Sequence, residues 1–510
     1  MENHPREFRF TASSIMGFVW RGAIIGIVSG TVVSLFRWSI EKLFGRVLSF
    51  YHAAQTNPKL LIPITLVSLL VAGLISLLVK SDPDIKGSGI PHVEGELKGL
   101  LHPEWWSVLW KKFVAGILAI SMGFMLGREG PSIQLGAMSA KGIAKLLKSS
   151  RMESRAFIAS GAAAGLSAAF NAPIAGLLFV VEEVYHHFSR MVWVTALVAS
   201  LVANFISLNI FGLTPVLSMN RNLPFLSLKQ YWIFIVMGLF LGLMGYGYEK
   251  VILNFHRLYD FLGKILHLPS YTYGVLAVFF IVPIGYFYPN LLGGGNELII
   301  SLPQGNMLLA TACLYFLIRF VWSMLSYSSG LPGGIFLPIL TLGALLGMIF
   351  GLSLRNLDLV STSSLSLFIV LGMAGYFGAI SKAPLTAMIL VTEMVGDLKQ
   401  LMAIGVVTLV AYIVMDLLKG EPIYEAMLAK LSFVKPSHVA EPTLIEVTVS
   451  DKIAGKKVRD LTLPKNVLIT TQIHHKESEV VSGNTILNAG DTIFVVVNEP
   501  EITKVKELLM

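Results

Sequence analysis

Residues 121–137 read SMGFMLGREGPSIQLGA, and residues 328–344 read SSGLPGGIFLPILTLGA. Laid over one another at a separation of 207 residues, Gly123 meets Gly330, Gly127 meets Gly334, Pro131 meets Pro338, and Leu135-Gly136-Ala137 meets Leu342-Gly343-Ala344. The same register sets Lys112 on Arg319, each a basic residue inside an apolar segment. A second block follows in the same order: GAAAGLSAAFNAPIAGLLFVVEE at 161–183 overlays GMAGYFGAISKAPLTAMILVTEM at 372–394, a separation of 211. There Gly161 meets Gly372, Ala172-Pro173 meets Ala383-Pro384, and Glu182 meets Glu393. Two blocks in one order define a duplicated half. A duplication with Gly- and Pro-interrupted segments at matching places is the pattern of transporter-like membrane folds, whose site lies at the midplane between the repeats. The letters alone leave open whether the halves are inverted, but they favour a channel or transporter over a membrane-embedded enzyme.

Composition points to the same environment. Of 510 residues, 54% are hydrophobic and 14% charged, against about 25% charged in soluble domains; a chain so apolar does not stay disordered either. Uncharged runs cover Leu60–Val79, Ala156–Val181, Met191–Asn220, Tyr231–Tyr248, Ile265–Asn296, Val321–Leu354, Leu359–Ser381 and the shorter Leu401–Met415. At about 20 residues per crossing these are membrane-helix candidates. Glycine and proline punctuate the apolar segments, as at Gly26-Ile27-Val28-Ser29-Gly30. Broken or re-entrant helices are therefore expected, which a bilayer tolerates only where the interrupted backbone is buried or lines a polar cavity.

Charge divides the chain. From Glu441 onward there are eight Lys or Arg and ten Asp or Glu, net −2; the first 440 residues hold 31 and 21, net +10. The expected organisation is a cytoplasmic segment at 1–14, a membrane domain at 15–435 with halves at 15–220 and 221–435, and a soluble domain at 436–510. The opening MENHPREFRF lacks the apolar core and cleavage site of a secretory signal. Lys141, Lys145, Lys148, Arg151 and Arg155 cluster as the positive-inside rule requires of a cytoplasmic loop, with attraction of anions a secondary role. The single cysteine, Cys313, cannot form an internal disulfide and reads as a buried packing thiol.

Three motifs carry the chemistry: Gly87-Ser88-Gly89-Ile90-Pro91, Gly127-Arg128-Glu129-Gly130-Pro131 and Gly333-Gly334-Ile335-Phe336-Leu337-Pro338. Glycines before a proline and helix-compatible residues describe a tight turn feeding a helix start. Such a start offers free N–H groups and the positive end of a dipole to an anion, and glycine lets the anion approach the backbone. Ser88 adds a hydroxyl donor without full charge, which suits the moderate binding that conduction requires. Each motif alone equally fits a structural turn; three in a duplicated apolar chain point to an anion pathway.

Glu129 is the sharpest residue, since an intramembrane carboxylate is costly unless neutral, paired or wet. At the mouth of an anion site its charge competes with the anion and protonation removes the competitor; a salt bridge to Arg128 or a helix-capping role is the structural alternative. Glu182 and Glu183 point to different faces of a helix, so one can relay protons while the other is structural, or both can be solvated at a helix end. His186 and His187 are adjacent rather than helically spaced, and no HExxH occurs, so no metal site is expected. Tyr424 offers a neutral phenol donor to an anion or an interfacial anchor, and Lys112 and Arg319 either raise the potential along a pathway or serve packing and ion pairing.

Together these residues resemble the CLC chloride channel and transporter family over roughly residues 15–432, with GSGIP, GREGP and GGIFLP in the family's order followed by Tyr424. The resemblance implies a polytopic α-helical membrane protein of two inverted repeats with broken or re-entrant helices, and a homodimer with one anion pathway per subunit. It implies that Ser88 and Tyr424 hydroxyls, with backbone near Gly89, Ile335 and Phe336, hold the central anion. Gly87, Pro91, Arg128, Gly130, Gly334, Lys112 and Arg319 stand as supporting residues. Glu129 corresponds to the external gating glutamate and Glu183 to the internal proton-transfer glutamate. Both acids match the antiporter pattern, Ser88 fits chloride where a proline would indicate nitrate, and GSGIP departs from the fluoride-exporting branch. Proton-coupled chloride exchange is therefore expected, in a prokaryotic plasma (inner) membrane with both termini cytoplasmic. The alternatives are a passive voltage- or pH-gated chloride channel and a non-transporting anion-responsive signalling or scaffold protein. Lipid, chloride and protons are the expected partners, with no cofactor, metal or nucleic acid.

The tail departs from the paired CBS domains of eukaryotic relatives. It reads as strands at Thr443–Val449, Val467–Ile473, near Glu479 and at Thr492–Val497, with helices near Lys456–Leu461 and over 499–509, a small α+β cytosolic domain. VSGNTILNAGDTIFVVV, residues 481–497, resembles the TrkA-C regulatory domain, which implies a dimerising module that either binds a small ligand and modulates transport or serves assembly without one.

Overall fold

Apolar side chains without interior charge make the simplest helices, and the chain uses them on both sides of a duplication. The computed structural model describes residues 12–431 except 185–189, 220–222 and 305–306, and residues 442–509 except 451–452, 462, 465–466, 475–476, 499–504 and 506–507. The first half holds α1 (Ala12–Thr56), α2 (Leu61–Ser81), α3 (Ile90–Leu97), α4 (Trp105–Ser121), α5 (Glu129–Leu146), α6 (Arg151–Phe170), α7 (Pro173–Phe179) and α8 (Arg190–Phe211). The second holds α9 (Trp232–Asn254), α10 (His256–Leu266), α11 (Tyr273–Phe287), α12 (Asn296–Ser301), α13 (Leu309–Ser328), α14 (Phe336–Asn356), α15 (Leu365–Ser381), α16 (Pro384–Val395) and α17 (Leu401–Leu417), and α18 (Ile423–Ala429) closes the unit. Helices α2 to α8 correspond in order to α11 to α17. Among the described residues nine helical segments are long and apolar enough to cross a membrane, and α14 and α15 are the most enclosed of them.

The duplication is a twofold relation. Gly127 N–H donates to Gly334 O at 2.7 Å and Gly334 N–H donates back to Gly127 O at 2.7 Å. Equivalent residues that exchange the same bond lie about a twofold axis, as in any isologous contact. The helix pairs repeat this order: Gly136 of α5 lies against the Gly161 carbonyl of α6, and Gly343 of α14 against the Gly372 carbonyl of α15, so close that a Cβ at either would overlap it.

Several sequence expectations change. The Gly26–Gly30 segment is no break: α1 runs through it unbroken. Gly22, Gly26 and Gly30 form a stripe that lets α1 approach Thr195, Ala199 and Ala203 of α8, where Cβ atoms would lie 2.6–2.8 Å from backbone; small residues at helical spacing serve such contacts in membranes. The uncharged run Val321–Leu354 holds the end of α13 and most of α14 with a turn between. The run Ala156–Val181 breaks at Asn171, whose φ of 55° is left-handed, before Pro173 starts α7. Only Tyr273–Phe287 of the run Ile265–Asn296 is a long helix. Cys313, expected buried, is half-buried on α13.

The tail is a separate compact unit. Its strands β1 (Pro442–Thr448), β2 (Leu468–His474), β3 (Glu477–Val480) and β4 (Thr492–Asn498) form an antiparallel sheet in the order β1-β4-β2-β3. Ile493, Val495 and Val497 alternate inward with Val447, Ile469 and Leu487 to make its core. The expected helix near Lys456 is one 3-10 turn at Val458–Asp460, and most of the one expected over 499–509 lies outside the described residues, as do His186 and His187.

Candidate functional site

Each glycine motif runs into the first turn of a helix, its proline at the second or third helical residue. Gly89 caps α3 with φ 90°, a left-handed conformation that glycine alone adopts freely, and Pro91 occupies the first turn. Arg128 caps α5 and Ile335 caps α14. The three turns meet: Gly333 N–H donates to Gly87 O at 3.0 Å, beside the Gly127–Gly334 pair. Gly130 sits against Ser88 so closely that a Cβ would overlap Ser88 Oγ. The N-terminal ends of α3, α5 and α14 are thereby brought to one place, each with N–H groups that its own helix cannot satisfy.

Two buried cations brace this arrangement. Lys112 Nζ donates to Ile85 O at 2.9 Å and Gly87 O at 2.7 Å, holding the turn that carries Ser88. Its equivalent Arg319 donates to Leu291 O and Gly293 O at 2.8 and 2.7 Å, and to Gly294 O at 2.6 Å. Neither makes a salt bridge with a carboxylate among the described residues; both stitch glycine-rich turns, and Gly293-Gly294-Gly295 is the second-half counterpart of Gly87-Ser88-Gly89.

Around the meeting point lie polar atoms with no protein partner. Ser88 Oγ and Tyr424 Oη are buried and make no hydrogen bond among the described residues, and the buried Glu129 carboxylate has no side-chain hydrogen bond there, lying beside the backbone N–H groups of Glu129 and Leu337. An unpartnered buried polar group costs about 1–3 kcal/mol, so hydroxyls left unpartnered beside a buried carboxylate mark a place built for something else. Arg128 does not neutralise Glu129 fully: its Nε lies 4.0 Å from Glu129 Oε1, while its Nη1 binds Glu41 at 2.6 Å. Tyr424, on α18, is no surface anchor; it is fully buried, its ring edge-on to Phe179 at 6.3 Å, and Phe179 in turn meets Phe336 at 6.2 Å. Glu129 and Glu183 both act electrostatically on Tyr424.

Glu182 and Glu183 separate at a π-helical turn, Val180–Val184. Glu182 accepts from Leu385 N–H at 3.2 Å, Thr386 N–H at 2.7 Å and Thr386 Oγ at 2.7 Å, capping α16. Its repeat mate Glu393 accepts from Ile174 and Ala175 N–H at 3.2 and 2.8 Å, capping α7. Each half thus caps a helix of the other, where alanine at 172 and 383 offers no capping side chain. Glu183 instead turns inward and is 5% exposed; Glu94, Glu182, Glu425 and Lys98 are the charges that act on it.

Two ion clusters escape the sequence reading. Lys98 bridges Glu94 of α3 at 2.8 Å and Glu425 of α18 at 2.9 Å, tying the helix that follows Ser88 to the one that carries Tyr424. Arg37 and Glu41 pair at 3.0 Å on α1 next to Arg128. The spacing of four between Glu94 and Lys98, and between Arg37 and Glu41, is the signal that was available.

Fold and site define a multi-pass integral membrane protein of two inverted, broken-helix repeats around a buried polar centre. The chain belongs to the voltage gated chloride channel family, whose profile matches residues 68–416, and the TrkA-C domain profile matches residues 443–510. It is 32% identical over 433 residues to the H(+)/Cl(-) exchange transporter ClcA of Vibrio parahaemolyticus, covering 80% of this chain and 88% of that protein. The ClcA of Salmonella schwarzengrund is 30% identical over 424 residues, covering 81% and 89%. Among solved structures, a slow cyanobacterial Cl-/H+ antiporter superposes with a TM-score of 0.76 at 28% identity, covering 82% of this chain and 98% of that one. A eukaryotic CLC transporter shares the fold at a TM-score of 0.68 and 18% identity, covering 89% and 80%.

Proposed function

We propose that the protein exchanges chloride for protons across a prokaryotic plasma membrane, as a homodimer with one pathway per subunit and cytoplasmic termini. The observation that carries this reading is the set of buried groups made of two carboxylates, Glu129 and Glu183, that both act electrostatically on Tyr424, with the Ser88 and Tyr424 hydroxyls unpartnered among the described residues. Neutral hydroxyls and the free N–H groups at Ile335 and Phe336 hold chloride by dipoles alone, so occupancy stays reversible. Ionised Glu129 competes for the same donors. Once protonated it gives them up, and the anion takes its place. Glu183 supplies the proton from the other side, which ties anion movement to proton movement. The TrkA-C-like tail serves as a regulatory module, and a small molecule is its proposed ligand.

Purified protein in liposomes tests this. An imposed chloride gradient is expected to drive protons uphill; chloride flux without protons would identify a passive channel, and no anion flux a non-transporting protein. Glu183→Gln is expected to abolish proton movement while chloride still moves, and Glu129→Gln to give chloride movement that is uncoupled and insensitive to pH. Full coupling in the first variant, or steep pH dependence in the second, removes that residue from the mechanism.

A further inference from the structure

On the α1 side of Glu129 four alternating charges stand in a row: Arg37, Glu41, Arg128 and Glu129. Arg37 is fixed from three directions. Its Nε meets Glu41 at 3.0 Å, its Nη1 donates to Asn171 Oδ1 at 3.2 Å, and its guanidinium lies 3.8 Å over the Phe211 ring. Asn171 is itself held by Ser207 Oγ at 2.9 Å. Arg128, 7% exposed, reaches Glu41 at 2.6 Å and stands off from Glu129 at 4.0 Å. Glu41 is the member open to water, its side chain 44% exposed, and with Arg128 it borders a cavity of about 300 Å³ that Asn296 and Glu297 also line.

Arg128 therefore divides one positive charge between two carboxylates, and the shorter contact goes to the one that takes no part in the pathway. We propose that Glu41 is a positioning residue for the gate: by drawing Arg128 toward α1 it weakens the hold of Arg128 on ionised Glu129 and so sets the pH at which Glu129 releases the anion path. The inference rests on the gating role proposed for Glu129. Its sign follows from Coulomb's law. Without the Glu41 carboxylate, Arg128 is uncompensated, ionised Glu129 is favoured, and a more acidic solution is needed to discharge it. The other charged or titratable groups acting on or beside Glu129 are Arg37 of α1 and Tyr424 of α18. Besides Glu41 and Arg128, the charged residue lining the cavity among the described residues is Glu297 of α12. The α14 turn at Gly334, Ile335, Phe336 and Leu337 brings none.

The test is the pH profile of chloride efflux from liposomes, from about pH 4 to 7, a span that brackets ordinary and raised carboxylates. Glu41→Gln is expected to move the midpoint about one unit toward acid, roughly a tenfold loss of rate at a fixed pH on the alkaline flank. Glu41→Asp is expected to restore the native midpoint, and Glu41→Gln should have no effect on the profile in a Glu129→Gln background. An unshifted or alkaline-shifted midpoint, or a shift that persists without Glu129, overturns the inference. A Glu129→Gln protein that keeps its pH dependence overturns the gate reading instead. Should Glu41→Gln fold poorly, Glu41→Cys with Cys313→Ser can be modified after reconstitution. A sulfonate reagent should return the profile toward native and a trimethylammonium reagent push it further to acid, and equal effects of the two would sink the idea.

Discussion

Lys112→Met separates the two equivalent braces by function. The ammonium gives two charge-assisted hydrogen bonds, to Ile85 O and Gly87 O, worth about 1.5–3 kcal/mol each. Methionine fills the space and escapes the penalty of burying an ammonium, several kcal/mol, but leaves the Ile85 carbonyl unmet. The turn retains the Gly333 N–H bond to Gly87 O at 3.0 Å. A net loosening of at most about 3 kcal/mol is left, and the fraction of molecules with Ser88 in place falls accordingly. Because apparent affinity scales with that fraction and 1.4 kcal/mol is tenfold, chloride Kd should rise up to about 100-fold. Arg319→Met removes three comparable bonds, yet the turn it braces carries glycine where the first half has Ser88. It should lower thermal stability while leaving chloride Kd near native. Isothermal titration of each purified variant with chloride reads this directly. A native Kd in Lys112→Met, or an equal loss in Arg319→Met, would refute the assignment of the anion to the first-half turn.

Other outcomes follow from the same contacts. Glu182→Ala and Glu393→Ala each remove a helix cap and should cost about 1–2 kcal/mol, read as a lower unfolding temperature by tryptophan fluorescence; unchanged melting would show the caps to be idle. Gly26→Leu drives a side chain into Ala199 and Val202 and should cost about 1–3 kcal/mol as overpacking, with a sharp loss of monodisperse protein on gel filtration. In the tail, burial raises the Asp491 carboxyl, but hydrogen bonds from Gln472, His474 and Asn488 outweigh it and hold the group below the ordinary aspartate range. That stabilisation is complete above an unfolded aspartate pKa of about 3.9 and is lost as pH falls through the lower folded value. Amide protection factors in β2 and β4 of the full chain, taken relative to the intrinsic exchange rate at each pH, should fall on acidification in the native protein and much less in Asp491→Asn, and an equal fall in both would exclude Asp491 as its source.

Much of the architecture was legible because duplication prints it twice. The GREGP and GGIFLP blocks mark the starts of α5 and α14, and their shared register foretold that Gly127 and Gly334 are equivalent; that they bond to each other is a tertiary fact outside any local pattern. Tyr424 was ambiguous because a tyrosine after an apolar run has the same local pattern at a membrane surface as in a core. Helix α1 escaped the uncharged-run criterion since Arg21, Arg37, Glu41 and Lys42 interrupt it, while Arg21 pairs with Glu153 of α6 and Glu41 with Arg37 and Arg128. The glycines at 22, 26 and 30 show the opposite ambiguity: the same residue that ends a helix also permits two helices to touch, and only the partner decides. Glu182 and Glu183 are identical in type and adjacent in sequence, and their separation into a cap and an inward acid is made by the π-helical turn beneath them.

The crossed contacts between the halves also bear on how the protein is made. Gly127 waits for Gly334, and the N–H groups at 174 and 175 wait for Glu393, 219 and 218 residues away. At about 5–20 residues per second, roughly 10 to 40 s pass before a ribosome delivers these partners. During that interval the first half is inserted with its α7 start uncapped and its central glycine turn unpaired. A cell that makes this protein has to shelter a half-built membrane domain for that long, which makes the newly inserted first half the species most exposed to quality control.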